Sequence, residues 1–194
     1  MEGGAAFTDL ALAIALGVAL AAAAGLRVFI PLLLASVAAH SGHMDPGPGF
    51  AWLASWPAMA TFAVAAAVEI AAYYLPGLDH VLDLIMTPLA LCAGVLLVVA
   101  PLGEVSPLMR WSIAVVAGAG AAGLTQAASS LLRIKSTATT GGLGNPVVAT
   151  AELGGSLLLS LLALLLPLLA LVLLAVVVWG CFAVRRKLRR REAG

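Results

Sequence analysis

The chain has 194 residues, 63% of them hydrophobic and only 10% charged, with a formal net charge of +1. Soluble domains carry roughly 25% charged residues, and the mean hydropathy here is +1.12, so a soluble globular domain is excluded. Several stretches reach the roughly 18 to 20 apolar residues that cross a hydrocarbon core as a helix, whereas the period-two alternation of a membrane barrel is absent.

The N-terminal stretch MEGGAAFTDLALAIALGVALAAAAGLRVF lacks the basic n-region of a secretory signal and is expected to remain in the mature protein. The first apolar segment runs from Leu10 to about Ala39 and is interrupted by Arg27 and Pro31. At 1.5 Å per residue it overreaches a core of roughly 30 Å, so it must tilt, kink or break. A second segment covers about Pro57 to Tyr74 and a third about Val81 to Ala100, joined by the turn-like LPGLDH as a helical hairpin. The fourth occupies about Pro107 to Leu132. The last apolar region, Pro146 to Val184, reads as two helices meeting near Pro167, the first only partly crossing.

The expected architecture is therefore all-α: a polytopic membrane helix bundle of about six spans, one domain over 1–194, with a basic cytoplasmic tail at 185–194. RRKLRRR, residues 185–191, holds the C-terminus in the cytoplasm by the positive-inside rule. Arg133 and Lys135, assigned to the loop after the fourth span, fall on the same side, with Arg110 opposite. Five spans with a re-entrant loop is the alternative, which moves the N-terminus outside.

A weak internal repeat pairs ALAAAAGLRVFIPLLLAS, residues 19–36, with AGAGAAGLTQAASSLLRI, residues 117–134. It matches Gly25 with Gly123, Glu69 with Glu152 and Pro88 with Pro167. Halves of about 10–103 and 107–184, with three spans each, make an inverted pair whose site lies near the midplane.

Arg27 follows a long uncharged stretch, and an Arg at a helix centre costs about 2.5 kcal/mol or more. It either snorkels to an interface or sets its planar fork against a carboxylate or phosphate. Pro31, four residues on, frees the Arg27 carbonyl and bends the helix. Glu69 and Glu152 pose the mirror-image problem. Either they form a buried network with Arg27, or they exchange protons or cations that drive movement.

The polar run KSTATTGGLGNP reads as a discontinuous helix entry. Gly141, Gly142 and Gly144 permit close approach, Asn145 before Pro146 signals a helix start, and the free N–H groups of that helix suit an anion. Lys135, Thr139 and Thr140, with Ser136 and Thr137, are expected to line the same region. The candidate substrate-binding set is thus Arg27, Lys135, Thr139, Thr140, Gly141, Gly142, Gly144 and Asn145. Glu69 and Glu152 serve as coupling or ion-pair residues, and Pro31, Pro146 and Pro167 as breaks.

Asp79, His80 and Asp83 read as a solvated helix start, and His40, His43 and Asp45 as an outer loop, so no metal site is expected. Cys92 and Cys181 are read as small buried hydrophobes. Trp52, Trp56, Trp111 and Trp179 fall near span ends, as interfacial anchors do. The small-residue runs GVALAAAAG and AGAGAAG suit close helix packing, within the chain or in a homo-oligomer. No Walker loop, redox CxxC, HExxH or GxSxG occurs, so neither an enzyme nor a cofactor is expected.

On AAAAGLRVFIPLLL, FAWLASWPA, AVEIAAYYLPGLDHVLDLI and TGGLGNPVVATAE, the chain resembles the DUF4126 family of small bacterial membrane proteins, from about Leu10 to Val184. The resemblance implies a bacterial inner membrane and leaves function open. The residues themselves point to a small secondary transporter or flippase for an anionic solute or lipid phosphate. A non-transporting membrane subunit that packs with partner helices is the alternative. The partners expected are the lipid bilayer and an anionic small molecule or lipid headgroup, with no nucleic acid.

Overall fold

A computed structural model describes residues 2–74, 79–103, 105–176 and 179, the side chains of 2–6 and 79–83 excepted. Among these residues every regular element is helical, as expected. The first apolar segment resolves its excess length by breaking into α1, Glu2–Ala24, and α2, Phe29–His40. Pro31 has no N–H to donate to the Arg27 carbonyl, so one hydrogen-bond ladder cannot cross this point. The N–H groups of Leu26 and Arg27 instead both fall back on the Ala23 carbonyl, at 3.0 and 3.1 Å.

The chain reverses at that turn. Gly17 of α1 backs onto Val98, and beyond α2 the Gly47 N–H donates to the Ala100 carbonyl at 2.8 Å, so both limbs belong to one end of the bundle. The pair is a helical hairpin with a buried tip at Arg27 and Val28. Pro31 thus sits in the first turn of α2, where its missing N–H is harmless, rather than at a bend within one span.

A 3₁₀ turn, Ala51–Ala54, leads to α3, Trp56–Tyr73. Ser55 caps α3 by accepting the Ala58 N–H on its hydroxyl. Next comes α4, Asp79–Val99, which with α3 matches in extent the helices expected over Pro57 to Tyr74 and Val81 to Ala100, although only α3 is long and apolar enough to cross a membrane. The expected fourth span stops at Leu132, but the helix continues. Helix α5, Pro107–Ile113, a π-helical stretch, Ala114–Ala119, and α6, Gly120–Thr140, form one rod of 34 residues. Such a rod is on the order of 50 Å long against a core of about 30 Å, and its last turns are polar. After Gly141 and Gly142, whose φ values of 63° and 92° turn the chain, α7 runs Asn145–Leu165. The helix breaks at Leu166 and resumes as α8, Pro167–Val176, as the sequence led one to expect near Pro167.

Helix α1 is the hub, packed on α4, α6 and α7. Its alanines are fully buried from Ala19 to Ala24, Leu20 intervening, and these short side chains allow the close approach that helices in lipid use in place of a hydrophobic driving force. A close crossing joins α4 to the π stretch. A Cβ on Gly118 would run into the Gly94 carbonyl, and the reverse substitution is equally blocked. Helices α1, α3, the α5–α6 rod and α7 are long and apolar enough to cross a membrane, while the apolar stretches of α2, α4 and α8 are shorter.

Several single-residue expectations change. Arg110, at the start of the expected fourth span, is a buried group of α5 rather than a charge at the membrane surface. Its Nε donates to the Val99 carbonyl at 3.1 Å and Nη1 to the Pro48 carbonyl at 3.2 Å, with Phe50 beneath the guanidinium. Cys92 is exposed on the outer face of α4, because the helix turns it away from the core. His40 lies 2.8 Å from the Ala54 carbonyl and His43 lies 3.0 Å from Ser41 Oγ. Among the described residues no group of His, Cys, Asp or Glu is placed to hold a metal. Trp52, Trp56, Trp111 and Trp179 are all exposed. The side chains of Asp79, His80 and Asp83, and residues Cys181 and 185–194, lie outside the described residues.

Gly118→Leu should destabilise the protein by about 1–3 kcal/mol through overpacking. By contrast, Gly120→Ala, where a Cβ meets nothing within 4 Å, should be neutral or stabilise by roughly 0.5–1 kcal/mol. Thermal unfolding in detergent checks both, and equal stability of the two variants would contradict the close crossing.

Candidate functional site

Three helices each present one polar stripe to the bundle interior. On α3 these are Glu69 and Tyr73, on α6 Gln126, Ser129 and Arg133, and on α7 Asn145, Glu152 and Ser156, all buried. The spacings of three, four and seven keep each set on a single helix face. Into the space between them the α1–α2 turn delivers Arg27, only 1% exposed.

Glu152 is the centre of the cluster. Arg133 donates to it in a fork, Nε to Oε1 at 3.1 Å and Nη2 to Oε2, and Ser129 Oγ donates to Oε1. Arg27 Nη2 stands 3.5 Å from Oε2 of the same carboxylate and donates to the Ala149 carbonyl at 3.0 Å. A planar guanidinium matches a carboxylate in this two-point geometry, which a lysine does not. Tyr73 adds a neutral surface for both cations, its ring centroid lying 3.9 Å from Arg27 Cζ and 4.0 Å from Arg133 Cζ.

Glu69 has a different task from Glu152. Its Oε1 accepts the Val28 N–H at 2.8 Å and its Oε2 the Phe29 N–H at 3.0 Å. A carboxylate from α3 therefore caps α2 from another helix, satisfying donors that a helix start leaves open and facing the positive end of its dipole. Nothing in the first turn of α2 itself provides such a cap. The carbonyl freed by Pro31 also finds a donor, since Ser156 Oγ reaches the Arg27 oxygen at 3.5 Å and the Ala23 oxygen at 3.0 Å.

Of Arg27's donors, Nε and Nη1 are buried with no hydrogen-bond partner among the described residues. A buried unsatisfied donor costs about 1–3 kcal/mol, and more when charged. Arg27 therefore keeps two buried donors, Nε and Nη1, beyond the bonds it already makes.

Of the sequence-derived set, Arg27 and Glu152 meet, and Glu69 borders them through the α2 start. Lys135, Thr139, Thr140 and Gly141 do not join them, because all four are exposed. The reason is local: α6 stays helical through Thr140, and the hydroxyls of Thr139 and Thr140 donate back to the Lys135 and Ser136 carbonyls. Gly142 and Gly144 form the turn, and a Cβ on Gly144 would meet Ser136 and Thr140. Asn145 opens α7 and Pro146 occupies its first turn; the Asn145 amide donates to Thr137 Oγ1 at 3.1 Å.

Arg133, Tyr73, Ser129, Gln126 and Ser156 are the residues that sequence reading passed over. Arg133 had been given to a cytoplasmic loop, yet it is 4% exposed within α6, which also removes it from the charge count across the membrane. The available signal was the polar three-and-four spacing on helices that are otherwise apolar. The cluster lies toward the α6–α7 turn, with Tyr73 the last residue of α3 and Glu152 in the second turn of α7, rather than halfway along these helices.

A family model described as a domain of unknown function (DUF4126) matches residues 14–187. No curated protein and no solved structure matches the chain.

Glu152→Ala should cost about 3–5 kcal/mol, the penalty for leaving buried cations without their anion. Pairing it as Arg133→Met with Glu152→Leu should cost well under the sum of the single changes. Glu69→Ala should cost about 1–3 kcal/mol for two orphaned N–H groups, with Glu69→Gln intermediate. Unfolding midpoints of the purified full chain measure all four, and additive effects of the Arg133 and Glu152 changes would argue against the fork.

Proposed function

Because the chain belongs to the DUF4126 family, whose description assigns no activity, its role has to be read from the site, and we propose that it moves an anion across or within the membrane. The reading is of a small secondary transporter or flippase for an anionic solute or lipid phosphate. The observation that carries it is Arg27, buried to 1% with donors still open beside a second guanidinium that shares its carboxylate. Arg27 binds the anion. Glu152 is the internal carboxylate that the two cations share while the anion is absent, leaving the trio one positive charge that an incoming anion offsets. Glu69 holds the α1–α2 tip in place, and Tyr73 covers the guanidinium faces.

Two finer elements belong to this reading. One is an inverted pair of three-span halves in a bacterial inner membrane with a cytoplasmic C-terminus. It is supported by the contact of Gly25 with Ala122, Thr125 and Gln126, which brings the two segments with the clearest self-similarity together. The other is coupling to protons or cations at Glu152. A non-transporting subunit is the competing reading, favoured by the saturation of Glu152 with donors from within the chain.

In proteoliposomes of the full chain, Arg27→Gln should slow efflux of inorganic phosphate, or transbilayer movement of phosphatidic acid, by about 10- to 100-fold, as expected for losing a charged hydrogen bond of about 1.5–3 kcal/mol. Arg110→Gln, at the far end of the bundle, controls for a generally weakened fold. Equal rates in the parent and Arg27→Gln for both probes would sink the proposal in favour of the structural subunit.

A further inference from the structure

Arg27, Arg133 and Glu152 are all buried, so no solute reaches the open donors of Arg27 until some element moves. One of the elements that covers them is lightly held. Helix α3 packs closely on α2 but only lightly on α4 and α7, and two neighbouring residues at its end make the connection to the cluster. Tyr73 lays its ring on both guanidinium groups, 3.9 Å from Arg27 Cζ and 4.0 Å from Arg133 Cζ. Tyr74, the C-cap of α3, brings its hydroxyl to 2.8 Å from Thr150 Oγ1 in the second turn of α7.

The direction of that bond follows from what Thr150 does elsewhere. Its hydroxyl already donates to the Pro146 carbonyl at 2.8 Å, and a hydroxyl has a single hydrogen to give, so Tyr74 is the donor and Thr150 accepts. Both partners are exposed. Water can therefore replace either of them, which makes this bond a weak and reversible one. Because the two tyrosines are adjacent, α3 cannot carry the Tyr73 ring away from the cations while Tyr74 stays bonded to α7. One turn earlier, Glu69 is fixed to the Val28 and Phe29 N–H groups, which confines the movement to the last turn of the helix.

We propose that the last turn of α3 is the gate of the polar cluster, with Tyr73 as its cover and the Tyr74–Thr150 hydrogen bond as its latch. Opening presents Nε and Nη1 of Arg27, which have no partner among the described residues, to a solute arriving from the α6–α7 end of the bundle. This deepens the anion reading, on which it rests for what enters; the opening itself belongs to the helices. The latch carries no charge, so it sets how often the cluster opens rather than what binds there.

A buried cysteine measures the opening. In the full chain carrying Cys92→Ser and Cys181→Ser, Ser129→Cys places a thiol beside Glu152, and its rate of reaction with a water-soluble methanethiosulfonate reports how often the cluster is exposed. Tyr74→Phe and Thr150→Val should each raise that rate about two- to tenfold, the factor that one net hydrogen bond supplies. The double variant should raise it no further than either change alone, since both remove the same bond. Arg110→Gln, at the far end of the bundle, should leave it unchanged. Gln126→Cys, one turn away on the same face of α6, is the second reporter where Ser129→Cys fails to fold.

A rate indifferent to both latch substitutions overturns the gate. Additive effects of the two, or an equal rise in Arg110→Gln, overturn it as well, because they indicate general loosening. Inorganic phosphate efflux from proteoliposomes keeps the two readings apart. Faster labelling in the latch variants with efflux indifferent to Arg27→Gln leaves the gate standing and removes the anion reading. Efflux that depends on Arg27, with labelling unaltered by the latch substitutions, removes the gate alone.

Discussion

A guanidinium sealed inside an apolar bundle has to be neutralised where it stands, and the arrangement around Arg27 follows from that constraint. Desolvating an ion costs several kcal/mol even after the protein relaxes. Glu152 offsets this for two cations at once, forked to Arg133 and 3.5 Å from Arg27. That sharing requires α6, α7 and the α1–α2 tip to converge at one point, and Tyr73 brings α3 to the same place. Elements that van der Waals packing alone would leave free to slide in lipid are held in register by a few charge-assisted bonds.

The second constraint is the broken first helix. Reversing a chain inside a bundle exposes N–H and C=O groups that hydrocarbon cannot satisfy. Side chains from elsewhere meet several of them: Glu69 takes the amides of Val28 and Phe29, and Ser156 donates to the carbonyl of Ala23, with the Arg27 carbonyl 3.5 Å away. The two glutamates, which look equivalent in the sequence, therefore divide the work. One satisfies backbone and the other satisfies charge. Only the second is paired with the two guanidinium groups.

Helix α3 packs closely on α2 and only lightly on α4 and α7. It carries Glu69 and Tyr73 inward while leaving a groove toward α4 on its outward side. In the opposite part of the bundle Gly94 and Gly118 bring α4 against the π stretch, and Arg110 ties α5 to the loop at Pro48 and to the end of α4.

The sequence by itself determined the all-helical membrane class, the breaks near Pro31 and Pro167, the helix start at Asn145 and Pro146, and the need for partners at Arg27, Glu69 and Glu152. These depend on local quantities, namely side-chain transfer cost, the missing proline N–H and runs of apolar residues, and such quantities act wherever the chain lies. Tertiary structure decided that α6 runs on to Thr140, that Arg133 faces inward rather than into a loop, that Glu69 caps α2, and that the Thr139–Gly141 stretch stands apart from Arg27. Those outcomes turn on which helix faces meet. An arginine near a helix end is equally stable snorkelling to the surface or paired inside, and only the presence of Glu152 across the α6–α7 turn resolves the choice.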